Sequence, residues 1–308
     1  MKLVKSVLSA SILAAVAQSA VAVEIDPYAS IRANYIAGDA DGQWNDAYTR
    51  AGVNVTEELD NITISYNLEF DYDPTQENHN DMSTSSIRTN VIKLSGDFGT
   101  LAYGRDWAPY YNAVSYGVGP DRFYGTYSGF TVDAVGKPNK TLFYTAPKMG
   151  NLQISAAYTR DNAADYGWGT GSGGTNGKDK QIAATYDVND SLMLAAGMVR
   201  GDDAQEDRNG FGASYTTGAW LLTANYQERK SATEITGTNV FARYQMDEKN
   251  SLRAHYAHIE TEGSEDINPI TLGFMHQYND DLKVFVEYYD DDSGANQEYP
   301  QIGFHYNL

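Results

Sequence analysis

From Val23 to Leu308 the chain is a succession of sixteen short stretches in which apolar and polar residues alternate, and the joins between them are of two kinds that take turns. The stretches lie near 26–37, 47–57, 62–72, 85–95, 100–107, 140–146, 152–160, 180–187, 191–200, 209–216, 220–229, 237–246, 251–260, 269–278, 282–290 and 299–308. In the last, Ile302, Phe304, Tyr306 and Leu308 share one face, and Gln301, Gly303, His305 and Asn307 the other. A period of two is the mark of a strand with two unlike faces. Seven joins are brief and rich in Asn, Asp and Gly, the residues of tight turns: 58–61, 96–99, 146–151, 187–190, 217–219, 247–250 and 278–281. The other eight, at 38–46, 73–84, 108–139, 161–179, 201–208, 230–236, 261–268 and 291–298, are long and polar.

Strict alternation of short and long joins puts every short turn, and both chain ends, on one side. A sandwich or a propeller has no reason to sort its loops in this way, but a barrel that spans a membrane does. The faces agree. Val240, Ala242, Tyr244 and Met246 alternate with Asn239, Phe241, Arg243 and Gln245, and Val284, Val286 and Tyr288 alternate with Lys283, Phe285, Glu287 and Tyr289. Arg243 or Lys283 placed in lipid would cost about 2–4 kcal/mol near the midplane, so the polar face belongs to the lumen. The expected fold is therefore all-β: a transmembrane antiparallel β-barrel of sixteen strands, wide enough to hold an aqueous channel. The 24 tyrosines suit a protein with much ring surface at membrane–water boundaries.

Residues 1–22 read as a cleaved secretory signal, with Lys2 and Lys5 ahead of an apolar run from Val7 to Ala17 and Ala20-Val21-Ala22 at the cleavage site. Residues 23–308 then form a single domain. Without Lys2 and Lys5 the formal charge moves from -19 to -21, which excludes nucleic acid as a partner. There is no cysteine, and hence no disulfide framework.

Other motifs dissolve in context. Gly169 to Gly174 matches GxGxxG, yet leads back to a strand instead of into a helix, so dinucleotide binding is not expected. Asp290-Asp291-Asp292 and Asp202-Asp203 lack EF-hand spacing and read as solvated loop tips, with a secondary possibility of sharing cations with lipopolysaccharide phosphates. The five histidines, His79, His255, His258, His276 and His305, are scattered, and His255 and His258 fall on opposite faces of one strand. No catalytic constellation emerges, and neither an enzyme nor a bound cofactor or metal is expected.

The longest join follows Leu101-Ala102-Tyr103-Gly104-Arg105 and continues through Tyr111-Asn112-Ala113 to Pro120-Asp121. With these residues and the alternating aromatic C-terminus, the mature chain resembles the trimeric general porins of Gram-negative outer membranes. The resemblance implies an outer-membrane homotrimer, in contact with lipopolysaccharide and lipid, that passes ions and small hydrophilic solutes. It implies that this third external loop folds into the lumen and narrows it. On it, Asp121 matches the loop carboxylate, Arg50 and Arg88 match basic residues of the opposite wall, and Lys137 is a further match. Arg32, on one face with Tyr28, Ser30 and Asn34, joins them as a candidate from strand parity. Arg105 matches a position that receives a neighbouring subunit's second loop. The chain departs from the family pattern at Gly117, where a second loop carboxylate is usual, and at Leu308, where phenylalanine is usual. The acidic balance favours weak cation preference. The alternatives are a sugar-selective pore with Tyr110, Tyr111, Tyr116, Phe123, Tyr124, Tyr127 and Phe130 as an aromatic track, and an adhesin or receptor barrel.

Overall fold

The computed structural model describes residues 23–37, 42–72, 87–119, 136–160, 178–201, 207–230, 233–292 and 298–308. The expected leader at 1–22 therefore lies outside the described residues, as do Asp121, Phe123, Tyr124, Tyr127, Phe130 and the glycine motif at 169–174. The first strands are β1 (Val23–Ile36), β2 (Gln43–Asp46), β3 (Arg50–Leu59), β4 (Ile62–Asp71), β5 (Ile87–Gly96) and β6 (Gly99–Arg105). Then come β7 (Thr141–Thr145), β8 (Leu152–Thr159), β9 (Asp179–Asp187), β10 (Leu192–Gly201), β11 (Asp207–Thr217) and β12 (Trp220–Lys230). The last are β13 (Ile235–Gln245), β14 (Asn250–Thr261), β15 (Ile270–Gln277), β16 (Leu282–Asp290) and β17 (Glu298–Asn307).

From β3 onward each strand pairs antiparallel with the next. The sheet closes through β1, which pairs on one side with β17 (Ala33 opposite Phe304) and on the other with β2 and β3. Strand β2 was expected to be part of a loop; it is instead the upper piece of the same wall position as β3. The two are separated where Tyr48 takes the left-handed conformation (φ 73) and Asp46 accepts from the backbone N–H groups of Tyr48 and Thr49. The result is a closed antiparallel barrel of sixteen strands.

Its polarity is inverted relative to a soluble protein. Along β14, Leu252 and Tyr256 are exposed while Ser251, Arg253 and His255 are buried. Along β13, Val240 is 51% exposed and its neighbour Asn239 only 1%. A sheet whose exposed face is Leu, Ile, Val and Tyr all the way round has lipid as its outer solvent.

The short turns repeat one device. Asn189, Asp247 and Asn279 each accept, through Oδ1, from the backbone N–H groups two and three residues on. Side-chain acceptors at the first turn position replace ladder bonds that the reversal removes. Inside the barrel, polar side chains bridge strands: Asn34 donates to Gln301, which donates to Glu287, linking β1, β17 and β16.

Because Val240 lies near the middle of β13 and points outward, Val240→Arg should destabilise the folded barrel by about 2–4 kcal/mol. Denaturant titration in lipid vesicles checks this, with Asn239→Ser on the inner face as the comparison that leaves the lipid contact unchanged.

Candidate functional site

After β6 the chain does not leave the barrel mouth. Residues Tyr111–Gly117 form one short helical segment of π type, and Tyr110, Ala113, Val114 and Val118 pack on Ala183, Ala195 and Val199 of β9 and β10. The landing place is made by absent side chains. Gly197 of β10 and Gly210 of β11 are register partners, and Gly212 lies opposite Ala195. A Cβ at Gly210 would stand 2.5 Å from the Tyr110 hydroxyl and 2.7 Å from Val114; one at Gly212 would stand 2.7 Å from Val118. These glycines let the loop approach the wall to backbone contact distance.

Hydrogen bonds fix the docked segment. Tyr110 donates to the Asn209 carbonyl (3.1 Å), Ser115 to Gln227 Oε1 (3.0 Å), Asn225 Nδ2 to the Val114 carbonyl (2.9 Å) and Thr223 to the Gly119 carbonyl (2.7 Å). Behind Asn225 the chain of donors continues: Asn239 Nδ2 donates to Asn225 and His255 Nε2 to Asn239. Gly117, which stands where the resemblance places a second loop carboxylate, has no room for a side chain, since a Cβ there would lie 2.6 Å from the Asn112 carbonyl.

The wall of β1 and β3–β5 carries a charged group. Glu69 of β4 accepts from Arg88 Nε (2.7 Å) and from the Tyr28 hydroxyl (3.1 Å), and Arg50 Nε stands 3.5 Å from its second oxygen. Arg88 also pairs through Nη1 with Asp71 at 3.0 Å. Tyr28 reaches Glu69 by crossing Gly52, where any Cβ would lie 2.6 Å from the ring. Arg88 owes its direction to a bulge: Thr89 pairs with Glu69 and Ile87 with Phe70, leaving Arg88 as the extra residue. Thr89 and Val91 already point inward, so strict alternation would send Arg88 outward; the bulge turns it in.

The other basic candidates are placed as follows. Lys137, only 1% exposed, holds its ammonium 3.8 Å from the centre of the Trp107 ring, and its field falls on Glu69 together with those of Arg50 and Arg88. Trp107 in turn stacks on Tyr111 at 4.4 Å. Arg32 faces inward two residues along β1 from Ser30, the register partner of Arg50, and its Nε donates to Ser30. Arg105 ends β6 opposite Asn90, on the parity of the outward-facing Tyr103.

The pattern that defines Gram-negative porins matches residues 6–296 of the chain. The chain belongs to the Gram-negative porin family. No sequence match to a curated protein accompanies this one. Solved structures of the same fold include an anion-selective porin from Comamonas acidovorans (16% identity, TM-score 0.70, 93% of this chain and 100% of that one). OmpF of Salmonella typhi, in complex with daunomycin, superposes with TM-score 0.72 at 17% identity over 93% of this chain and 97% of that one. The trimer form of OmpT, an outer membrane protein of Vibrio cholerae, gives 0.70 at 18% identity over 93% and 99%.

The docked segment, among the described residues, takes up room inside the barrel against its inner wall. Beside it lies a cavity of about 300 Å³, lined by Lys93, Asp106, Trp107, Asn112, Phe143 and Gln153, with Lys93 and Asp106 paired at 2.6 Å. The aromatic-track residues divide. Tyr110 and Tyr111 are buried, because Tyr110 fills the glycine notch and Tyr111 is stacked, so neither can offer a sliding surface; Tyr116 is exposed. Sequence reasoning did not single out Glu69, Asp71 or the glycine notch. Glu69 and Asp71 share the parity of Asn67, and two carboxylates on one inward face of a strand between two basic strands was the available signal.

Adding a methyl group at the notch tests the docking. Gly210→Ala should lower thermal stability in detergent by the equivalent of about 1–3 kcal/mol. Adding Tyr110→Phe, which removes the atom nearest that methyl, should restore part of the loss.

Proposed function

We propose that this outer-membrane porin passes ions and small hydrophilic solutes by passive diffusion, with weak cation preference. The aperture lies between the docked loop and the wall of Arg50, Arg88 and Arg32, with Lys137 and Asp121 as the loop's own charges. The observation that carries the reading is the combination of a closed barrel of inverted polarity with a loop segment bound to its inner wall. Such a pore binds no cofactor and breaks no bond. Its selectivity comes from aperture size and from charge fixed along the path.

The charge balance supports the sign. Arg50 and Arg88 are set against Glu69 and Asp71, so two of the wall cations are compensated locally. The surrounding chain is acidic throughout, with 41 Asp and Glu against 22 Lys and Arg. A locally compensated wall inside a negative protein raises the concentration of cations at the mouth without a strong anion track to oppose it. The same reading takes the working unit as a homotrimer seated among lipopolysaccharide and lipid, with Arg105 at a subunit contact. Trimers of the related fold, such as the OmpT form above, support that assembly.

The test is single-channel recording of the refolded mature protein in a planar bilayer across a salt gradient. Open currents in steps of three, with a reversal potential on the cation side, are the expected result. Asp71→Asn, which leaves Arg88 less compensated, should move the reversal potential toward anions. Saturable current block by an oligosaccharide would instead establish a sugar-selective pore, and silent trimers an adhesin.

A further inference from the structure

Among the described residues, His258, Glu260 and Asp266 bring one ligand atom each within 4.8 Å of one another. They lie at the long-loop end of the barrel, on its outer face. His258 and Glu260 have the outward parity of Tyr256 on β14, and Asp266 comes from the loop that leads to β15. That loop is tied back onto the strand by paired backbone bonds between Ile259 and Ile267 (2.9 and 3.1 Å) and by Ser264 N–H donating to Thr261.

The orientation of the donors is what distinguishes this group from a patch of surface acid. Asn268 Oδ1, which can only accept, takes one bond from the Tyr256 hydroxyl (3.0 Å) and one from His258 Nδ1 (2.8 Å). Nδ1 therefore carries the ring proton, and in the neutral imidazole Nε2 presents a lone pair. Nε2 points at Glu260 Oε1, 3.3 Å away, while the other oxygen, Oε2, is held by the Thr236 hydroxyl at 2.9 Å. Nε2 and Oε1 thus face each other as an ion pair when the ring is protonated, the pairing a cation would replace, and each is aimed by a neighbour outside the group. This is how metal-binding histidines and carboxylates are oriented, the second ring nitrogen donating to an oxygen and the ligating carboxylate itself hydrogen-bonded. With metal–ligand bonds of about 2.0–2.1 Å, neighbouring ligands of a tetrahedral site stand about 3.3 Å apart.

We propose that His258 Nε2, Glu260 and Asp266 form a binding site for a borderline divalent cation of the Zn2+ class, with water in the fourth position. One imidazole with two carboxylates suits such an ion better than calcium, which takes six to eight oxygens. Glu234 and Glu262, with Glu260, line a shallow depression beside it and draw cations to the place. The bound ion joins the tip of β14 to the following loop. This site is separate from the lumen and stands or falls independently of the pore's selectivity.

The experiment is calorimetric titration of the refolded full mature chain in detergent with Zn2+, followed by zinc-edge X-ray absorption. One saturable site per chain with a nitrogen-plus-oxygen shell near 2.0 Å is expected, and His258→Ala and Asp266→Asn should each weaken it at least tenfold. Asn268→Ala, which frees the ring without touching a ligand, should weaken it also. No saturable binding, or binding that His258→Ala leaves unchanged, overturns the proposal and leaves His258 and Glu260 as an imidazolium–carboxylate pair. If His258→Ala fails to refold, as judged by its mobility in unheated gels, Glu260→Gln supplies the same comparison.

Discussion

No backbone N–H or C=O can be left unpaired where the surrounding solvent is hydrocarbon, and this constraint shapes everything else in the molecule. A sheet satisfies it only by closing, and here β1 serves as the seam, pairing with the last strand on one edge and with β2 and β3 on the other. Closure fixes which face of each strand meets lipid. It leaves the inner face as the one place where charge and hydrogen-bonding side chains accumulate. The buried ladders, Asn34–Gln301–Glu287 on one side and His255–Asn239–Asn225 on another, follow from that confinement.

Within the closed wall, function depends on where side chains are missing as much as on where they are present. Gly197, Gly210 and Gly212 would weaken an ordinary strand, yet they allow Tyr110, Val114 and Val118 to lie directly on the backbone of β10 and β11. The same logic applies at Gly52, which lets the Tyr28 ring cross to Glu69. In both cases a lumen-facing glycine brings together groups that neither strand could position alone.

The barrel itself was legible in the sequence because period-two alternation and the parity of the loops are properties of the chain taken one residue at a time. The strand near 47–57 was harder: its true start at Arg50 and the separate piece Gln43–Asp46 depend on a left-handed residue, Tyr48, that no pattern marks. Arg88 shows the sharper limit. Alternation counted from Thr89 sends it into lipid, and only the pairing with β4 reveals the bulge that turns it inward. Glu69 and Asp71 were overlooked for a related reason, since their meaning comes from Arg50 and Arg88 on the flanking strands. The track suggested for Tyr110 and Tyr111 failed because aromatic content does not say whether a ring faces water or a notch in the wall.

The docked loop also imposes an order on the making of the molecule. It leaves the sheet after β6 and packs on β9 and β10, but its hydrogen-bond partners lie on β11 and β12, those on β12 as far as 104, 111 and 117 residues downstream. Contacts of such separation carry a loop-closure cost that falls once the intervening chain has been placed. β9 and β10 supply its apolar seat, and its hydrogen bonds are complete only when β11 and β12 are in the wall. The narrowing of the barrel by this segment is thus completed only by strands that follow the segment in the chain.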